Sequence, residues 1–149
     1  MRAVLLLLFT LLTVAQAEEY KAVFDCSSNK ASYIASRMLL VERTMSMIEK
    51  RGGTPIFAIT LHGGCVPIVS KLFDEILMDE EDTISLQRAQ ESLIRLSKKS
   101  GVEITACAIA LNANAIAQED VLPFVHISEN SFIDTIAYQN RGYALMTFK

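Results

Sequence analysis

Five short apolar runs alternate with longer segments whose apolar residues recur every three to four positions, and this alternation limits what the 149-residue chain can fold into. Tyr20 to Cys26 (YKAVFDC) reads as a buried strand ended by the turn formers Ser27, Ser28 and Asn29. Four more strands are expected: Pro55 to Leu61 (PIFAITL), Val102 to Cys107 (VEITAC), Val121 to Ile127 despite Pro123, and Tyr143 to Phe148. Between them the period changes. From Lys30 to Arg51, Ile34, Met38, Val41, Met45 and Ile48 mark one face of a long helix that Gly52 and Gly53 stop. A short helix is expected from Pro67 to Leu72, with the proline tolerated in its first turn. Ile84 to Lys99 places Leu86, Ala89, Leu93 and Leu96 on one face, with an N-cap at Asp82 or Thr83 and with Lys98 and Lys99 at the negative end of its dipole. The acidic stretch from Asp74 to Asp82 reads as a solvated loop. Ala108 to Ala117 and Ser131 to Asn140 complete the helices, the latter capped at Asn130 or Ser131 and closed by Gly142. Strands this apolar cannot face water, so the alternation predicts an α/β fold with a parallel sheet covered on both sides.

Hydrophobic residues make up 51% of the sequence, and 13 of them fall in the first 17 positions. Arg2, an apolar run from Ala3 to Val14 and an Ala15-Gln16-Ala17 cleavage pattern predict a signal peptide over residues 1–17, cut after Ala17. The run is shorter than the ~20 residues of a spanning helix. The expected product is a periplasmic or secreted protein with one domain over residues 18–149 and no membrane span after cleavage. That product has more acidic than basic residues and no basic stripe interleaved with aromatics, which argues against nucleic-acid binding. Dinucleotide, Walker, EF-hand and G-x-S-x-G patterns are all absent.

In a parallel sheet, ligands and catalytic groups collect where the chain leaves the strands. Cys26 ends the first predicted strand, Cys65 follows the second and Cys107 ends the third, so all three thiols are expected at one edge, with Asp25, His62, Asn112 and Asn114. Four readings stay open: a disulfide that leaves one cysteine over, a metal site with His62 whose spacing fits no zinc pattern, a thiol activated by a helix N-terminus at Cys107, or buried cysteine acting as a small hydrophobe. His62 suits orienting or deprotonating a thiol. Gly63 and Gly64 allow close backbone approach to a small ligand. His126, expected at the end of the fourth strand, is read as structural.

The segments Gly101-Val-Glu-Ile-Thr-Ala-Cys107-Ala-Ile-Ala-Leu-Asn112 and Thr60-Leu-His62-Gly63-Gly64-Cys65-Val-Pro67-Ile-Val resemble the DsrE/DsrF-like family, and the latter is similar to its exported branch. The similarity runs from Lys21 to Tyr143-Ala-Leu-Met. It implies a three-layer α/β/α sandwich with a five-stranded parallel sheet and assembly as a homo-oligomer (trimer or hexamer); no cofactor is expected. It further implies that Cys107 carries a persulfide and exchanges sulfur with a donor or acceptor protein; it assigns no role to Cys26 or Cys65. The reading that follows is an exported sulfur carrier with Cys107 as carrier, His62 as orienter and Cys65 as resolving or accepting thiol. The alternative is a non-catalytic oligomeric module that binds a small ligand or metal at the same edge, through Gly63, Gly64, Cys26 and Asn112.

Overall fold

A computed structural model describes residues 17–76 and 80–148. The leader expected over residues 1–17 lies, up to residue 16, outside the described residues. The described chain runs β1 (Glu19–Cys26), α1 (Ala31–Lys50), β2 (Thr54–Leu61), a 3-10 turn (Gly63–Val69), α2 (Phe73–Ile76), α3 (Glu80–Ser97), β3 (Val102–Cys107), α4 (Ala108–Ala113), β4 (His126–Ser128), α5 (Ser131–Asn140) and β5 (Ala144–Phe148). The five strands form one parallel sheet in the order β4-β3-β2-β1-β5. The chain steps outward from β1 to β4 and then returns to the other side of β1, which puts a topological switch between β1 and β5.

Strand periodicity sorts the core into two layers. Phe24, Phe57, Ile59 and Leu61 point to the face covered by α1 and α3, which pack on each other through Ile34, Met38, Val41 and Leu93. These four helix side chains are at most 1% exposed, and burial at that level stabilises the fold by about 2 kcal/mol per side chain. Val23 and Ala58 point the other way, against Tyr138 of α5. Tyr138 donates its hydroxyl to Glu103 Oε2 at 2.7 Å; burial, with that carboxylate, pushes its pKa up to about 12. Among the described residues no helix is long and apolar enough to cross a membrane.

Four sequence expectations need correction. The short helix expected from Pro67 to Leu72 is instead a 3-10 turn over Gly63–Val69, ended by an extended Ser70. Part of the acidic stretch is helical: α3 begins at Glu80, because Glu80, Glu81 and Asp82 in its first turn complement the helix dipole. The helix after β3 ends at Ala113, where Asn114 turns the chain. The fourth strand shrinks to His126–Ser128, because Pro123 cannot donate to a ladder, and Val121 forms only an isolated antiparallel bridge to Ser70.

Cys26 and Cys65 are joined by a disulfide, Cα to Cα 5.8 Å, that ties the end of β1 to the turn after β2 across 39 positions of sequence. Closing a loop of that size restrains the unfolded chain by about 4 kcal/mol in the entropic treatment. The Cys26→Ser, Cys65→Ser double variant is expected to lose about 2–4 kcal/mol in urea unfolding. A loss below ~0.5 kcal/mol would show that the unfolded chain is not restrained there.

Candidate functional site

The register across the three central strands fixes which side chains share a face. Cys26 pairs with Leu61 and Leu61 with Ala106, while Asp25 pairs with Thr60 and Thr60 with Thr105. Paired residues in a parallel sheet point the same way and neighbours along a strand point oppositely. Cys107 lies one residue beyond Ala106 and therefore faces α5, whereas Cys26 faces α1. The three cysteines share an edge, as expected, but the sheet separates them. This corrects the reading of Cys65 as a resolving thiol for Cys107: its sulfur is bonded to Cys26, and Cys107 is the free cysteine. Cys26, proposed as a ligand contact, is fully buried.

On the α5 face, Asp25, Thr60, His62, Thr105 and Cys107 come together. Asp25 Oδ1 accepts from Thr60 Oγ1 at 2.9 Å and lies 3.0 Å from His62 Nε2, an arrangement suited to a histidine protonated on that nitrogen. The His62 ring also stands edge-on to Phe132 at the start of α5, with centroids 6.2 Å apart. His62 and Cys107 each follow the last register pair of β2 and β3 by one residue, so they occupy neighbouring positions. The histidine is nevertheless held by Asp25, and it is not among the groups that donate to the thiol.

Those donors come from the starts of two helices. Cys107 is the N-cap residue of α4, and its partner in β4, Ser128, precedes α5 by only three residues. Burial pushes the Cys107 thiol up, but the backbone N–H groups of Ser131, Ala110 and Ile109, joined by the Ser131 hydroxyl, outweigh it and hold the thiol below its ordinary pKa. No tight capping bond forms at α4, so these groups act through oriented dipoles more than through one short contact. Cys107 is 5% exposed, so access is narrow. The sequence pointed to the α4 start but missed Ser131. The Asn130-Ser131 cap signal was visible, with Asn130 Oδ1 accepting from the Phe132 N–H at 2.9 Å, but its position beside Cys107 follows from the pairing of β3 with β4.

The remaining expected residues have other tasks. Gly63 adopts φ +53°, and its carbonyl accepts from Asn114 Nδ2 at 3.3 Å. A Cβ on Gly64 would come within 2.6 Å of Asn29 Cα and 2.8 Å of the Ser28 carbonyl. Both glycines therefore let the turns after β1 and β2 pack together, and the close approach predicted for a ligand is made by the chain itself. Asn112 is exposed on α4, and Asn114 is the asparagine that reaches the turn. His126 begins β4 opposite Thr105, two residues short of the edge.

Comparison with known proteins agrees with this fold. The profile of the DsrE/DsrF-like family matches residues 21–148. An uncharacterized protein of Aquifex aeolicus (strain VF5) is 33% identical over 132 residues, covering 89% of this chain and 57% of that protein, so the chain spans little more than half the length of this relative. The solved structure of MTH1491, a protein of unknown function from Methanobacterium thermoautotrophicum, superposes with a TM-score of 0.66 at 16% identity, over 87% of this chain and 99% of the other. At that identity the likeness concerns the fold.

Two outcomes follow from the geometry. Asn130 is extended (φ −155°, ψ 119°) and Ser131 is the first helical residue, so proline is tolerated at 131 while removing both the N–H and the hydroxyl. Ser131→Pro should raise the Cys107 midpoint in iodoacetamide labelling against pH, with Ser131→Ala raising it less. Unchanged profiles in a folded Ser131→Pro protein would sink the two-helix account. Gly64→Ala should cost about 1–3 kcal/mol in thermal unfolding, since backbone must shift to admit the methyl.

Proposed function

The chain belongs to the DsrE/DsrF-like family, and from that premise we propose that it is a sulfur carrier whose Cys107 holds sulfane sulfur as a persulfide. The observation that carries the reading is the junction of α4 and α5 starts on Cys107, which favours a sulfur anion on the polar α5 face. In the loading step the Cys107 thiolate attacks the outer sulfur of a donor persulfide. A new S–S bond forms, the donor's own S–S bond breaks, and the donor leaves as a thiolate, so no external oxidant or reductant is consumed. The leaving donor thiolate takes up the proton of the transferred sulfur, so the resulting terminal sulfur is anionic and is held by the same N–H groups of Ser131, Ala110 and Ile109. His62, fixed by Asp25 beside Cys107, orients the incoming group.

The carrier acts outside the cytoplasm, after cleavage at Ala17. The leader-like composition of residues 1–17 and the Cys26–Cys65 bond, which suits an oxidising compartment, support this. Its partners are a sulfur donor or acceptor protein and further copies of itself, as a trimer or hexamer. Ile109, Phe132 and Ile133, each at least 60% exposed at the two helix starts, supply an apolar rim around the thiol for such a partner to cover.

The small exposure of Cys107 favours one second reading, a non-catalytic oligomeric module in which the cysteine is structural. Mass spectrometry separates the two. After exposure to polysulfide, the carrier gains about 32 Da, one sulfur, on Cys107, and a reductant removes it. A Cys107 that stays unmodified by polysulfide yet labels with iodoacetamide would falsify the carrier, and an unaltered Cys107→Ser phenotype would establish the module.

A further inference from the structure

Away from Cys107, on the opposite face of the sheet, a groove of about 660 Å3 runs between α1 and the β1–β5 flank. It exists because α1 and α3 cover the sheet toward β3, which leaves β5 at the edge without a helix on this side. Phe24, Phe57, Met146 and Phe148 form an apolar floor, and Leu40 and Ile48 lie along the wall. Strand alternation accounts for the floor, since Ala144, Met146 and Phe148 point one way from β5.

One end of this groove carries a cation with an unmet need. Arg37 stacks its guanidinium on the Tyr33 ring, 4.7 Å from the centroid, and its Nε is sealed from solvent with no acceptor. Among the described residues no carboxylate lies within ion-pairing distance of it; Lys21, at the other end of the lining, is occupied by Glu19 at 2.9 Å. A buried guanidinium N–H without an acceptor is costly and rare, and a carboxylate is the group whose geometry it matches best. The helix returns antiparallel to β1, so Arg37 lies in the half of the groove toward the carboxyl ends of β1 and β5, and Ile48 in the half toward their amino ends. From Arg37 to Ile48 the wall extends about 16 Å at 1.5 Å per residue, room for a medium-length alkyl chain.

We propose that this groove binds an amphipathic carboxylate, its head on Arg37 and its apolar chain laid along the floor toward Ile48. The volume lies in the range of small-molecule sites, and an apolar lining with one charged group at its end is their usual construction. The inference is independent of sulfur chemistry and of Cys107.

Decanoate, below its micelle-forming concentration, is the probe, titrated calorimetrically into the whole chain. Saturable binding at one molecule per chain is expected, weakened at least tenfold by Arg37→Met and abolished by Leu40→Glu, which puts a negative charge on the half-exposed wall. Decanol, with the same chain and no charge, should bind at least tenfold less tightly than decanoate and should be indifferent to Arg37→Met. No decanoate binding, or equal binding of acid and alcohol, overturns the proposal. So does self-association in sedimentation that Leu40→Glu abolishes and decanoate fails to compete, because the groove is then a contact between copies. Circular dichroism of both variants ensures that a lost signal reflects the groove and not an unfolded chain.

Discussion

The alignment of β1, β2 and β3 at their carboxyl ends governs the chemistry of this protein. Because Cys26, Leu61 and Ala106 lie in register, the next residue on β3 necessarily faces the other way. One residue of offset thus divides the sulfur atoms. The Cys26–Cys65 pair is committed to holding two turns together on the α1 side, and Cys107 is left as the free cysteine, facing the α5 side. A slip of one position at β3 would point Cys107 into the apolar α1 layer and take it away from Ser131, Thr105 and the His62–Asp25 pair.

Electrostatics at Cys107 is a contest between burial and dipoles. A thiol enclosed this far would ordinarily stay protonated, since a thiolate loses its hydration. Two helix starts converge on it because β3 and β4 pair next to the points where each strand gives way to a helix. Their N–H groups have no partners within their own helices and can serve the sulfur at little cost. The Asp25–Thr60–His62 network lies beside this arrangement without joining it, and Asp25 holds the imidazole in place.

The two faces of the sheet are unequal, and the inequality follows from element lengths. The 20 residues of α1 and the 18 of α3 cover much of one side, while the 10 residues of α5 form the corresponding layer on the other. The β5 edge on the α1 side remains open, with Arg37 at its end. Cys107 and the groove therefore occupy opposite faces and can be perturbed separately.

Much of this was legible in the sequence, because it depends on local periodicity. The alternation of apolar runs and helical repeats predicted the parallel sheet, and the buried face of α1, Ile34, Met38, Val41 and Met45, is the one its spacing marks. Val102 to Cys107 is the strand its composition suggests, with Cys107 at the head of a helix. What the sequence could not supply was register, since strand pairing is a long-range choice made by the packing of both layers. Only register tells that Cys107 turns away from Cys26, that Ser131 arrives beside it, and that Gly64 is filled by Asn29 instead of a ligand. Sequence determined which side chains could do chemistry, and tertiary structure decided which of them meet.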